Sequence, residues 1–166
     1  MNRLETKQER DAWFVQAVRA HREAMYRVAL SMLRQRADAE DAVSEATMQA
    51  YAHIGSLRSR ENARAWLMRI TINACHAALR RRKREAVREI GEAELIADQP
   101  QESLPLWALV AQLPPKYGCV LQMFYGEDMR VEEIARALRL PKGTISSRIS
   151  RGRKLLRALI EKEERQ

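Results

Sequence analysis

Small hydroxyl groups and cations repeat along one face of a helical pattern near the C-terminus. Apolar or small residues at positions 145, 149, 152 and 156 follow each other at the spacing of one helix face. The opposite face carries Ser146, Ser147, Ser150, Arg151 and Lys154. Small hydroxyls admit close approach of another surface, and guanidinium and ammonium groups bind phosphate. The pattern predicts a helix that presents a nucleic-acid-binding face.

A second helical pattern, at residues 131–138, ends just before this helix. Glu132 and Glu133 suit its N-terminus, where the helix dipole favours negative charge, and Pro141 suits the first position of the helix that follows. Two helices joined by so short a turn predict a helix-turn-helix, whose second helix enters the DNA major groove. The alternative is a helical hairpin with a solvated basic face, but the charge bias and the small residues favour DNA binding.

The charge is distributed in blocks along the 166 residues. The formal charge is +8 and the pI about 10.0, which indicates an anionic partner. Residues 1–84 carry +8, residues 85–104 carry −5 and residues 105–166 carry +5. Glycine is scarce and Ala, Leu, Arg and Glu dominate. We predict an all-α fold of two small helical domains, 1–84 and 105–166, joined by a flexible acidic linker that lets them move independently.

Several classes of protein are disfavoured by what the sequence lacks. No apolar run reaches the roughly 20 residues of a membrane span, and the N-terminus has no signal-peptide core, so we expect a cytoplasmic protein without membrane insertion. Cys75 and Cys119 fall in apolar helical patterns and should be buried free thiols. The three histidines show no metal-ligand spacing, and no catalytic or phosphate-loop arrangement appears. We therefore expect no enzyme activity, cofactor or metal.

An acidic helix face follows a first amphipathic helix predicted at about residues 11–34. Asp38 is a plausible N-cap of the second helix, predicted at about residues 38–51. Its outer face then carries Asp41, Ser44, Glu45 and Met48, at i, i+3, i+4 and i+7. The residues alone favour helix capping plus a solvated face, although an acidic stripe with an exposed methionine also suits protein docking.

A polar basic loop, residues 55–61, precedes a long helix that Asn62 can cap and that extends to about residue 84. Trp66 belongs to its apolar face and is expected in the core. The helix ends in five consecutive cations, residues 80–84, which is more than capping requires. We interpret them as a nucleic-acid contact rather than a solvated helix end.

In their order and spacing these blocks resemble one family. The segments YRVALSMLRQRADAEDAVSEATMQAY, ARAWLMRITINACHAALRRRKR and LPPKYGCVLQMFYGEDMRVEEIARALRLPKGTISSRISRGRKLL are similar to those of small, extracytoplasmic-function RNA polymerase sigma factors. The resemblance implies that the first domain melts and binds the −10 promoter element and that the second binds the −35 element. It also implies as partners core RNA polymerase (its β and β′ subunits), promoter DNA, and an anti-sigma factor, free or membrane-anchored.

The resemblance assigns residues by position. A polymerase-docking role now outweighs capping for Asp38, Asp41, Ser44, Glu45 and Met48. The −10 element would be contacted by Ser56, Arg58, Arg60, Arg64, Arg69, Asn73, Arg80 and Arg81. The −35 element would be contacted by Thr144, Ser146, Ser147, Arg148, Ser150, Arg151 and Lys154. The loop lacks an aromatic residue, so strand melting should be weak and promoter choice strict.

Two rival interpretations remain at this point. A stand-alone helix-turn-helix regulator would use its N-terminal half to dimerise on a palindromic site. An RNA-binding protein would use the basic long helix, but it lacks the aromatic residues that such recognition employs. The unlike sequences of the two basic blocks favour the sigma factor.

Overall fold

The computed structural model describes residues 6–88 and 105–165, and this part of the chain consists of helices joined by short turns, without a strand. The helices are α1 (Lys7–Leu33), α2 (Arg36–Ala52), α3 (Ala63–Arg88), α4 (Pro105–Val110), α5 (Pro115–Leu121), α6 (Val131–Leu138) and α7 (Lys142–Glu163). We call residues 6–88 the N-terminal module and residues 105–165 the C-terminal module. The prediction of an all-α chain of two helical domains is confirmed; of the predicted linker, residues 89–104 lie outside the described residues.

The N-terminal module is a three-helix unit in which α1, α2 and α3 pack against one another. Helix α1 begins four residues before the predicted position because Thr6 and Glu9 form a capping box. It ends at Arg34, whose φ of 60° is a left-handed C-cap conformation. The buried apolar side chains include Met25, Leu67 and Met68, together with Trp66 as predicted.

Two predicted caps are wrong. Asp38 is not the N-cap of α2: the cap position is Gln35, and Asp38 lies in the first turn, where its charge still suits the helix dipole. Asn62 does not precede α3 as a cap either, because residues Arg60–Asn62 form a 3₁₀ turn that runs directly into α3. Helix α3 continues through Arg88, so residues 85–88 of the predicted linker are helical.

The C-terminal module is built around the predicted helix-turn-helix. Helices α6 and α7 flank a turn at Arg139, which has a φ of 53°, and Lys142 Nζ donates to Glu132 Oε1 at 3.1 Å across the corner. Ile145 and Ile149 are buried, as their spacing predicts. Tyr125 is half-exposed and lies in residues Gln122–Gly126, which form a π-helical turn.

The two modules pack against each other, and their independent movement stays a prediction. Helix α5 lies on α1, and α6 lies on α3. The Arg27 guanidinium donates to both oxygens of Glu127, at 2.7 and 2.9 Å. Arg34 Nη2 donates to the Leu113 carbonyl at 2.6 Å, and Arg64 donates to the Glu127 carbonyl. Side chains of α1 and α3 thus bond directly to the C-terminal module.

Candidate nucleic-acid and protein interfaces

The outer face of α7 is open to solvent where the sequence predicts DNA contact. Ile145, Ile149 and Gly152 are buried against the rest of the module, so the side chains on the far side of the helix point outward. Exposed there are Ser146, Ser147, Arg151 and Lys154, whereas Thr144, Arg148 and Ser150 are half-buried at the flanks. Because Ser147 and Arg151 are one helical turn apart, their side chains project together.

Gly152 explains why α7 lies so close to its support. A Cβ at this position would meet Leu121 Cδ1 at 3.1 Å and Cγ at 3.2 Å. Leu121 is fully buried in α5 and has little room to move. The glycine therefore allows α7 to pack closely against α5, and this packing fixes the position of the exposed face of α7.

The acidic face of α2 is also exposed. Asp41, Ser44 and Glu45 face solvent, and Met48 is 63% exposed, which is unusual for a large apolar side chain. Asp38 differs from the other predicted docking residues because it forms an ion pair with Arg82 of α3. The face that is free to bind a partner therefore consists of Asp41, Ser44, Glu45 and Met48.

The predicted −10 residues divide between three places. Ser56, Arg58 and Arg69 line one cleft with residues of α6. Arg64 is half-buried and engaged with the C-terminal module. The remaining ones are exposed: Arg60, whose guanidinium lies 4.8 Å from the centroid of the Trp13 ring, and Asn73, Arg80 and Arg81 along α3.

The run of five cations at residues 80–84 contains one structural residue. Arg82 donates to the Leu33 carbonyl at 3.1 Å and to Gln35 Oε1 at 3.0 Å, besides pairing with Asp38. It thereby satisfies the C-terminus of α1 and the start of α2. The other four cations are exposed, so the nucleic-acid contact stays a prediction for these four, whereas Arg82 is engaged within the fold.

Glu127 is the electrostatic centre of the contact between the modules. Its side chain is only 4% exposed and accepts hydrogen bonds from Arg27 and from Gln122 Nε2, the latter at 3.0 Å. Burial raises the pKa of Glu127, but the hydrogen bonds from Arg27 and Gln122 outweigh it and hold the pKa below its usual value. The carboxylate is therefore ionised at neutral pH and needs its donors.

The cysteines and histidines form no reactive centre. The burial predicted for Cys75 and Cys119 is confirmed, and it raises the pKa of Cys75 to about 12 and that of Cys119 to about 11, so both stay protonated. Within residues 6–88 and 105–165 no group of His, Cys, Asp and Glu converges to hold a metal ion. None of the helices in the same ranges combines the length and the apolar composition that crossing a bilayer requires.

Comparison with protein families places both modules in one family. The family model for Sigma-70 region 2 matches residues 17–85, and that for Sigma-70 region 4 matches residues 103–156. The chain belongs to the extracytoplasmic-function group of the sigma-70 family. It is similar to the Bacillus subtilis RNA polymerase sigma factor SigV, with 26% identity over 97% of this chain and 99% of the relative. The Mycobacterium tuberculosis ECF sigma factor SigM is 29% identical over 89% of this chain and 76% of its own length.

Solved sigma factors share the fold. The sigma factor RpoE from Bartonella quintana, crystallised with the anti-sigma factor NepR, superimposes with a TM-score of 0.75 at 27% identity, covering 89% of this chain and 96% of that one. CnrH, in complex with the cytosolic domain of CnrY, matches in fold at 24% identity and a TM-score of 0.64, over 89% of this chain and 87% of its own. This sigma factor is thus an alternative factor that directs transcription initiation, and the stand-alone regulator is not favoured.

No local sequence pattern marks the residues of this sigma factor that connect its modules. Arg27 and Glu127 are 100 residues apart, and neither stands out from the many charged residues around it. Arg136, in α6, and Arg139, at its C-cap, are likewise not marked by any local pattern of charge or spacing. Only the tertiary packing brings them to the −10 candidates.

Proposed function

We propose that this sigma factor works through three surfaces: α2 docks on core polymerase, α3 and the turns before it bind the −10 element, and α7 binds the −35 element. The supporting observation is that the three residue sets lie on different parts of the surface, and that most residues of the α2 and α7 sets are exposed. A face used for docking on the enzyme does not then compete with one used for DNA.

The polymerase-docking surface comprises Asp41, Ser44, Glu45 and Met48, with Asp38 as a supporting residue. Two carboxylates attract a basic partner, and an exposed methionine adapts its shape to an apolar contact. Asp38, tied to Arg82, helps to hold α2 against α3. We assign the clamp region of the β′ subunit as the principal partner, with further contact to β.

The DNA surfaces divide between phosphate and base contacts. On α7, Ser146, Ser147, Ser150 and Arg151 contact bases, and Arg148 and Lys154 contact phosphate, with Thr144 beside them. The −10 surface uses the cations and polar groups of the N-terminal module: Ser56, Arg58, Arg60, Arg64, Arg69, Asn73, Arg80 and Arg81. Each surface alone binds weakly, and joining them through polymerase raises the effective concentration of the second contact.

The same proposal covers activity, location and control. The factor acts in the cytoplasm, has no catalytic function of its own, and is held inactive by an anti-sigma factor, as the named complexes of RpoE and CnrH suggest. The packing of the C-terminal module over Arg64 supports an inactive state in which the −10 surface is partly covered.

The test is charge reversal on α2. Asp41→Arg with Glu45→Arg should abolish co-purification with core polymerase while the far-ultraviolet circular dichroism stays unchanged. The matched control is Glu161→Arg with Glu163→Arg, an equal charge change at the exposed end of α7. Equal polymerase affinity in the two double variants would refute the docking assignment.

A further inference from the structure

A cleft of about 640 Å³ lies between the two modules. One wall comes from the turns before α3 and its first turns, and the other from the end of α6 and its C-cap. The apolar part of the lining consists of Leu57, Ala65 and Trp66, and Trp66 is held in place by a 3.3 Å hydrogen bond from its indole to Ser56 Oγ. The size lies within the range of small-molecule sites.

Four guanidinium groups line this cleft: Arg58 and Arg69 from the N-terminal module, Arg136 and Arg139 from the C-terminal module. In the part of the chain that the structure describes, none of the four forms an ion pair or a side-chain hydrogen bond with the protein, whereas Arg27 and Arg82 are fully engaged. Burial, and then the positive charge of Arg139 across the cleft, lowers the pKa of Arg69. Packing the modules thus brings like charges together without an internal anion.

We propose that this cleft binds a small, multiply charged phosphate anion, and that nucleoside polyphosphates are the class that fits it. Guanidinium groups match phosphate oxygens with paired hydrogen bonds, and four of them can share a chain of phosphates. The apolar lining offers a surface to a base, which an inorganic phosphate chain cannot use. The ligand supplies the negative charge that the packed arrangement lacks.

Binding in this cleft stabilises the packed arrangement. Because the two pairs of arginines belong to different modules, only the packed chain presents all four, and a ligand stabilises the state that binds it best. The ligand also occupies Ser56, Arg58 and Arg69, which we assign to the −10 element. This consequence for transcription rests on the proposed function, whereas the binding itself does not.

A single DNA strand is the competing occupant of the cleft. The wall formed by α6 and its C-cap distinguishes the strand from the nucleotide. A strand bound to the −10 surface uses α3 and its preceding turns, so it does not need Arg136 or Arg139. The small anion needs both walls. Substitution in α6 therefore separates the two ligands.

The experiment measures binding to the full chain, without polymerase, by titration calorimetry at fixed ionic strength and without divalent metal. The probes are ATP, GTP, inorganic tripolyphosphate and a ten-nucleotide single strand. The variant is Arg136→Ser with Arg139→Gly; glycine suits the positive φ of position 139. The matched control, Arg157→Ser with Lys162→Ser, removes the same charge from exposed positions of α7.

We expect one saturable site for the nucleotides, and a rise in the unfolding temperature when they bind. The α6 variant should weaken nucleotide binding by about tenfold or more, since a hydrogen bond to a charged group contributes on that order, while the control retains it. Arg58→Ser, a single change in an exposed turn, should weaken binding too and guards against misfolding of the α6 variant.

Three outcomes would overturn the proposal. Equal loss in the α6 variant and in the control would mean general charge attraction without a site. Saturable binding by the single strand alone would assign the cleft to DNA. Tripolyphosphate binding as tightly as ATP and GTP would keep the anion site but refute the nucleotide class.

Discussion

The two proposed DNA-facing surfaces differ in how much of the protein covers them. On α7, Ser147 and Arg151 are exposed. At the start of α3, Arg64 is bonded to the C-terminal module, and Arg69 faces Arg139 across a cleft. The packed chain therefore offers its −35 surface while its −10 surface is partly occupied. Because the buried carboxylate of Glu127 is one of the bonds that join the modules, changes at this residue or at Arg27 test the difference.

The largest effect is expected from Arg27→Ala, which would leave Glu127 buried without its main donor. Removing one partner of a buried ion pair costs about 3–5 kcal/mol of stability. We expect a loss of about 3 kcal/mol here, because Arg27 is half-exposed and water partly screens its charge. The modules should separate so that water reaches Glu127, and small-angle scattering should show a larger radius of gyration. Glu23→Ala is the control, since it removes only an exposed partner of the same guanidinium. An unchanged radius in Arg27→Ala would show that other contacts hold the modules.

The second largest effect concerns α7, which carries the proposed −35 surface. Gly152→Ala would place a methyl group against Leu121 and should destabilise the protein by about 2 kcal/mol, since overpacking strains a full core. Gly143→Ala in the same helix meets nothing within 4 Å and should stabilise by about 0.5 kcal/mol. Chemical denaturation measures both. Similar effects of the two substitutions would contradict the close approach of α7 to α5.

A third pair of variants sharpens the role of the open surface. Arg151 can bind guanine through two hydrogen bonds, so Arg151→Ala should relax preference at one upstream base pair by about 1–2 kcal/mol. Lys154→Ala should weaken all upstream elements alike and reduce the salt slope by about one counterion. Transcription from a library of upstream elements at two salt concentrations separates the two. If Arg151→Ala lowers transcription from every upstream element equally, Arg151 is a phosphate contact, and the orientation proposed for α7 on DNA is wrong.

The smallest effect is expected on acidification, because burial and hydrogen bonding act on Glu127 in opposite directions. Its pKa in the folded protein lies below the ordinary value of 4.5, so its contribution to stability is complete above that value. The contribution is lost as the pH falls through the folded pKa. The difference in unfolding free energy between wild type and Glu127→Gln should shrink below about pH 4.5. A difference that stays constant there would show that the carboxylate does not titrate in this range.

Local patterns determined much of this protein from its sequence. The spacing of Ile145, Ile149 and Gly152 fixes which face of α7 is buried, because a helix repeats its faces by geometry alone. The same helical spacing predicts that the acidic face of α2 is exposed and that Trp66 is buried, as the structure shows. The order of such blocks along the chain was sufficient to indicate the family. The docking and DNA-contact roles of individual residues remain predictions.

Only the tertiary structure decided which charged residues serve the fold and which face a partner. In the run at residues 80–84 the sequence treats five cations alike, but Arg82 turns inward because the end of α1 offers it carbonyl acceptors. Glu127 pairs with Arg27, which is 100 residues away in the sequence, and Arg139 lies near Arg69 although no local pattern predicts it. Such pairings depend on how helices pack, since electrostatic and hydrogen-bond partners are set by distance in space and leave no periodic trace in the sequence.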